Sequence, residues 1–225
     1  MKKLNKYLTP LLTVLSLSLY GQKDSLSRFQ LGVSMMPDVN VSLWSNDKSI
    51  PKLGGTFGIS VTYRLYRNLS VVTGLNYAGR NYESIDYQSY SYPRDPTFLN
   101  TRKKSSEQYL ELPVKLSYIM GIKKLRFTGS AGLITDYFLQ YDAEYIHIYD
   151  DREEKSTYLS RFTDKRFSFS PFVSLGLDYR ISDKLNLRAE PTFRFFEYTN
   201  EPDIKLYALR YNAGVNFGIY YCFKN

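Results

Sequence analysis

Tyr109-Leu110-Glu111-Leu112-Pro113-Val114-Lys115-Leu116-Ser117-Tyr118 is the stretch whose reading decides the fold. Leu110, Leu112, Val114, Leu116 and Tyr118 share one parity; Glu111, Pro113, Lys115 and Ser117 share the other. Successive side chains of a strand point to opposite faces, so this is a strand with one apolar and one polar face. A helix would scatter the same residues around its circumference.

The pattern recurs along the chain. Strands are predicted over about 28–36, 55–65, 69–82, 109–118, 125–141, 166–180, 185–196 and 206–223. Short polar turns at 66–68, 121–123 and 182–184 alternate with long polar connections at 37–53, 83–107 and 150–164, and Pro202 breaks the chain near 200–203. Eight strands in this layout predict an all-β, eight-stranded antiparallel up-and-down transmembrane β-barrel with short periplasmic turns and long extracellular loops. Pro113, Pro171 and Pro191 fall inside predicted strands and mark irregular positions, because proline cannot donate to a ladder.

Lys2, Lys3 and Lys6 precede an uncharged run, Leu8 to Leu19, that ends near Gly21. These are the parts of a secretory signal peptide, expected over 1–21, with the barrel domain over 22–225. The run is short against the ~20 residues of a spanning helix, and no later run reaches that length. The expected location is therefore the bacterial outer membrane, reached by signal-directed export. The chain holds 22 Tyr and 14 Phe against one Trp, with a mean hydropathy of −0.37. A barrel whose polar lumen dilutes its hydropathy has this composition. The formal charge is +8, part of it in the signal lysines. The basic residues alternate with apolar ones and form no dense patch, so nucleic acid is not expected as a partner. Anionic outer-membrane lipid is the natural partner for the modest excess of positive charge.

The apolar face is expected to point outward. An eight-stranded barrel is only just wide enough for side chains to fill, and several bulky residues per strand suit the larger outer circumference. Tyr63, Tyr118 and Tyr179 share the apolar parity and each sits just before a short turn; Tyr221 and Phe223 join them. Tyrosines at one membrane–water boundary form such a periplasmic girdle. The other face carries Arg64, Lys115, Arg126, Arg188, Arg194 and Arg210 with Glu111, Asp136, Asp178 and Glu190, and also Arg180. Charges in a narrow lumen must pair or be solvated. A structural ion-pair network is the expected state, and a narrow ion path is the alternative.

With these residues in hand the chain resembles the PorT-like outer-membrane β-barrel proteins of Bacteroidetes-type bacteria. The resemblance rests on the Tyr-Leu-Glu-aliphatic-Pro segment at Tyr109 to Pro113, the glycines Gly129 and Gly132 of the next strand, and the later run from Leu175 to Tyr179. It covers about 29–223. It implies an outer-membrane barrel and admits envelope or secretion-machinery protein partners. It implies no catalytic residue.

Catalytic chemistry has little material. His147 is the only histidine, near Asp150, Asp151, Ser156 and Ser160. An envelope-lipid hydrolase built on it is the enzymatic alternative to a scaffold or a small pore. Asp150, Asp151, Glu153 and Glu154 lack the spacing of a calcium loop. Cys222 is the single cysteine, so neither an intrachain disulfide nor a zinc cluster is expected. No cofactor is expected. Tyr87, Tyr90, Tyr92, Arg102, Lys103 and Lys104 in the longest connection suit contact with a protein or polysaccharide.

Overall fold

The computed structural model describes residues 28–43, 48–87, 97–121, 123–160, 166–199 and 207–223. The expected signal segment, 1–21, lies outside them, as do Tyr90, Tyr92 and Pro202. Ten strands are present: β1 (Phe29–Leu43), β2 (Lys48–Ile50), β3 (Lys52–Arg64), β4 (Leu69–Asp86), β5 (Phe98–Met120), β6 (Leu125–Tyr149), β7 (Glu153–Ser160), β8 (Phe167–Arg180), β9 (Leu185–Thr199) and β10 (Tyr207–Cys222). Eight of them form a ring in the order β1-β3-β4-β5-β6-β8-β9-β10, closed by the antiparallel pairing of β1 with β10. Every pairing is antiparallel between neighbours in the ring. The architecture is an eight-stranded up-and-down barrel.

The outer wall is apolar. Val33, Met35, Phe57, Ile59, Leu112, Val114, Leu116, Phe127, Leu133, Val173, Leu175, Phe217 and Ile219 are all exposed on it. The lumen holds the polar parity, and Gln30, Ser60, Thr62, Ser117, Thr128, Ser174 and Asn212 are buried there. The polarity is inverted relative to a water-soluble barrel. In hydrocarbon this arrangement removes apolar area from water and leaves no open sheet edge to the lipid.

The prolines act where their missing N–H would form a rung. The β4–β5 register steps from Thr73–Val114 to Asn76–Glu111 across Pro113. The β8–β9 register steps from Ser174–Thr192 to Leu177–Ala189 across Pro191, and it starts at Phe172, one residue beyond Pro171. The β1–β10 register likewise skips Pro37.

Segments that the polar pattern marks as connections are in large part strand. β1 runs on to Leu43, β4 to Asp86, β5 begins at Phe98, and β7 occupies the charged stretch after Asp150. Outside the membrane a strand has water on both faces, so the apolar alternation that announces it is lost. The sheet β2-β4-β5-β6-β7 therefore continues past the ring on one side of the barrel. A bulge on β6, where Gln108–Gln140 is followed by Tyr109–Phe138, leaves Leu139 unmatched and reverses the parity beyond it. Side-chain alternation along 125–141, extended through Tyr145 and Tyr149, predicts Gln140 on the lumen side and the two tyrosines on the apolar face; the bulge instead puts Gln140 on the outer side and Tyr145 beside Lys103 on the lumen side.

Leu175, 73% exposed and midway along β8, tests the outward face. Leu175→Arg should destabilise the folded barrel in lipid vesicles by ~2–4 kcal/mol. Ser182→Arg in the turn should change it little. Urea titration followed by far-ultraviolet circular dichroism reads the difference, and equal stability of the two variants would place Leu175 away from lipid.

Candidate functional site

The lumen is filled by charge. Beginning at the short-turn end, Asp178 accepts from Arg126 Nε at 3.0 Å and Arg188 Nε at 3.1 Å. The Arg188 guanidinium stacks over Tyr220, 4.4 Å from the ring centroid. Tyr220 fits because Gly32 and Gly218 flank it: a Cβ on either would meet its ring at 2.5 and 2.6 Å. Above this, Glu190 accepts from Lys115 Nζ at 2.8 Å and Thr128 Oγ1 at 3.2 Å.

The next layer is the most connected. Glu111 accepts from Arg80 at 2.7 Å and from Arg194 at 2.6 Å. Arg80 also donates to Asp136 at 2.7 Å, and Ser170 Oγ donates to the other Asp136 oxygen at 2.7 Å. Asp38 accepts from Asn40 at 2.8 Å and Asn212 at 3.1 Å. At the far mouth Glu107 takes Arg210 at 2.8 Å and the Tyr109 hydroxyl at 2.7 Å. Arg210 lies 4.3 Å over the Tyr82 ring, and Arg80 4.3 Å over the Tyr109 ring.

Among the described residues the buried lumen charges balance. Arg80, Lys115, Arg126, Arg188, Arg194 and Arg210 face Asp38, Glu107, Glu111, Asp136, Asp178 and Glu190. Balance is what a low-dielectric channel requires, since a lone buried charge costs several kcal/mol. The structure brings nine of the sequence-selected lumen residues into this network. The other two, Arg64 and Arg180, sit half-buried at the short-turn ends of β3 and β8. Sequence reasoning omitted Arg80, Asp38, Glu107, Tyr82 and Tyr220. Counting by twos back from Glu111 would have reached Tyr109 and Glu107, and counting on from Asn76 would have reached Arg80. Asp38 was hidden by Pro37, which reads as a loop.

The outer wall carries aromatic residues at both ends. Tyr63, Tyr179, Tyr221 and Phe223 are exposed beside the short turns, with Tyr118 half-buried among them. Phe223 packs on Phe29 at 5.4 Å and on Tyr221 at 5.1 Å. At the other end a second set forms: Phe57 with Tyr77 at 5.5 Å, Tyr137 with Phe167 at 5.1 Å, and Phe193 with Phe195 at 4.6 Å. Tyr179 and Phe169 on β8 are ten residues apart. At ~3.3 Å per residue and a tilt near 45° that is about 23 Å along the barrel axis, close to the ~25 Å apolar band of such proteins.

Beyond the second set lies the outer sheet. Its Glu83 is buried, with Lys52 and Arg102 both bonded to it. Burial pushes the Glu83 carboxyl up, and the bonds from Lys52 and Arg102 outweigh that and hold it below the ordinary glutamate range. Lys103 points to the opposite face, where its ammonium meets the rings of Tyr145 at 5.4 Å and Tyr141 at 6.0 Å. His147 Nδ1 lies 2.9 Å from Thr101 Oγ1. Thr101 is buried, and Glu154, opposite His147, bonds Arg152 instead. His147 is thus partnered by a buried hydroxyl, and the carboxylate across from it is engaged by Arg152. Among the described residues no cluster of His, Cys, Asp and Glu suits a metal. Cys222 is a buried free thiol.

An inverted eight-stranded barrel with an apolar band of this height defines an outer-membrane β-barrel protein. The chain matches the model of the outer membrane protein beta-barrel domain over residues 9–217 and belongs to that family. No curated protein matches its sequence. Among solved structures it is similar to the outer membrane protein OprG of Pseudomonas aeruginosa, at 11% identity over 91% of this chain and 100% of that one, with a TM-score of 0.52. Neisserial surface protein A is similar at 14% identity over 89% and 100% of the two chains, with a TM-score of 0.48. At such identities the likeness concerns the fold.

Glu111 joins two arginines and is fully buried. Glu111→Ala should cost ~3–5 kcal/mol, because it strands Arg80 and Arg194. Heat-modifiable gel mobility and urea titration of the refolded variant read the loss; a change below about 1 kcal/mol would mean that water already carries those charges.

Proposed function

We propose that this chain is a non-enzymatic, non-conducting barrel that holds an extracellular sheet at the cell surface, where the sheet serves as a scaffold or binding surface for an envelope partner. The balanced ion-pair network filling the lumen carries the first half of this reading. The layers at Glu190, Glu111 and Glu107 bridge strands across the ring, the layer at Asp178 ties three neighbouring strands, and an ion in transit would have to displace several charge-assisted bonds at once. The continuation of β4, β5 and β6 past the ring, joined by β2 and β7, supports the second half. It presents tyrosines, cations and carboxylates on a firm strand frame rather than on loops.

In this reading the aromatic residues beside the short turns mark the periplasmic boundary, and those near Phe57, Tyr137 and Phe193 mark the outer one. Signal-directed export delivers the chain to that membrane. A secretion-machinery partner, as the PorT-like resemblance admits, is compatible with this surface, though no residue selects it. A small pore for ions or apolar solutes and an envelope-lipid hydrolase are the competing readings. The filled lumen weighs against the first, and the buried Thr101 beside His147 against the second.

Purified protein in planar bilayers should show no steady conductance; a persistent open channel at neutral pH would overturn the plug. A photo-reactive residue in place of Lys155 on β7, used in intact envelopes, should give a discrete adduct with a protein partner. The same residue in place of Ser182 should not. Adducts of equal yield at both positions would remove the assignment of binding to the sheet.

A further inference from the structure

Asp38 stands apart from the other buried carboxylates of the lumen. Glu190 with Lys115, Glu107 with Arg210, and the group of Glu111, Asp136, Arg80 and Arg194 are each neutral. Asp178 takes two arginines, Arg126 and Arg188, so its layer carries one positive charge. Asp38 is 2% exposed, its bonds come from two amides, and no described lysine or arginine is bonded to it. The lumen is thus balanced in sum but not layer by layer. The surplus lies at Asp178 and the deficit at Asp38, with the Glu190 layer between them. A charge compensated only from that far lacks the close partner that a low-dielectric interior demands.

What surrounds Asp38 is rich in oxygen. Asn40 on β1 donates to Oδ1 at 2.8 Å and Asn212 on β10 to Oδ2 at 3.1 Å. Both amides are fully buried, and the oxygen of each meets no donor. A half-turn of an amide exchanges its N and O without changing the shape of the side chain. Each oxygen then takes the place of the nitrogen, 2.8 or 3.1 Å from a carboxylate oxygen. Oxygens at these separations fit side by side around a hard cation with bonds of ~2.4 Å. A third strand leaves the room. A Cβ on Gly54 of β3 would lie 2.2 Å from the Asn40 amide, 2.6 Å from the Gly79 carbonyl oxygen and 2.7 Å from Asp38 Oδ1. Glycine at 54 keeps the point where these polar groups converge clear of any side chain.

The donor set selects the ion. One carboxylate offers a single negative charge, and the other ligands are neutral amide and backbone oxygens. Such a set suits a monovalent hard cation. Tight divalent sites use more carboxylates, and softer metals would want the thiolate or imidazole that is missing here. The place in the fold gives the ion a consequence. Asp38 and Asn40 belong to β1 and Asn212 to β10, the two strands that close the ring. Their ladder passes from Met35–Phe217 straight to Asp38–Gly214, across Pro37. An ion held by all three side chains joins the strands where proline has interrupted their rungs.

We propose that Asp38, Asn40 and Asn212, with the Gly79 carbonyl beside them, form a sodium site that staples the β1–β10 seam. The ion neutralises the lumen carboxylate that has no cation of its own, and the two idle amide oxygens become its ligands. Held there, it adds to the plug rather than passing through it. The site does not depend on what the outer sheet binds.

Urea titration of the full, folded protein in lipid vesicles at pH 8 tests this, in sodium, potassium or N-methylglucamine chloride at one ionic strength. At a fixed urea concentration near the midpoint, the folded-to-unfolded ratio should be at least about fivefold higher in sodium than in either other salt. Asp38→Asn, which keeps the shape of the side chain and removes its charge, should erase that difference. Asp183→Asn, in a periplasmic turn, should leave it unchanged. Line broadening of the sodium-23 resonance by the folded protein reads binding directly and should be lost with Asp38→Asn. Heat-modifiable gel mobility verifies that each variant is folded. Where Asp38→Asn fails to fold, the salt series and the sodium-23 line of the unaltered protein decide. Equal stability in all three salts would mean that water fills the site. Stability that rises on acidification with no preference for sodium would mean that a proton neutralises Asp38. Either result, or a sodium preference that survives Asp38→Asn, would overturn the assignment.

Discussion

Hydrocarbon cannot hydrogen-bond a peptide group, and that constraint organises this protein. Each strand that enters the bilayer must find partners on both sides, so the eight long strands close into a ring through the β1–β10 pairing. Closure then dictates the rest. Alternate side chains meet lipid and must be apolar; the others are shut inside with little water and must satisfy one another. The wall from Val33 to Phe217 and the lumen network from Asp178 to Glu107 are two consequences of one requirement.

The lumen shows how charge is accommodated in a narrow space. No layer relies on one isolated pair. Glu111 bridges two arginines, Arg80 bridges two carboxylates, and tyrosine rings lie against Arg188, Arg210 and Arg80. Glycines make room where these groups are widest, as Gly32 and Gly218 do for Tyr220. Such a network contributes less to net stability than its bond count implies, because desolvation offsets much of the attraction. What it enforces is a single arrangement of eight strands around a closed interior.

Outside the membrane the same strands obey different rules. With water on both faces, β4, β5 and β6 keep their ladder and lose their apolar alternation. The bulge at Leu139 reverses which side chains face outward, just where the sheet leaves the ring. The two faces of the extension differ in consequence. Lys103 with Tyr141 and Tyr145 lies on one; Glu83 with Lys52 and Arg102 lies on the other. One sheet thereby offers a surface over the lumen mouth and another over the surrounding lipid.

The period-two pattern in 109–118 and its repeats determined the fold by themselves: strand identity, strand number, the alternation of short and long connections, and which face is greasy all follow from side-chain parity. The sequence also determined most of the lumen set, because charges on the polar parity of a narrow barrel have nowhere else to go. Parity is a local property, and it fails where locality fails. It could not pair Glu111 with Arg194, or Lys115 with Glu190, which lie on β5 and β9, strands that are not neighbours in the ring and meet only across its closed interior. It could not follow β6 through a bulge, where one extra residue exchanges inside for outside. Nor could it find strands such as β7, whose two faces are both wet and whose place is set by the neighbour it pairs with rather than by its own residues. Those features belong to the tertiary structure, because each depends on how one segment registers against another rather than on the residues of that segment alone.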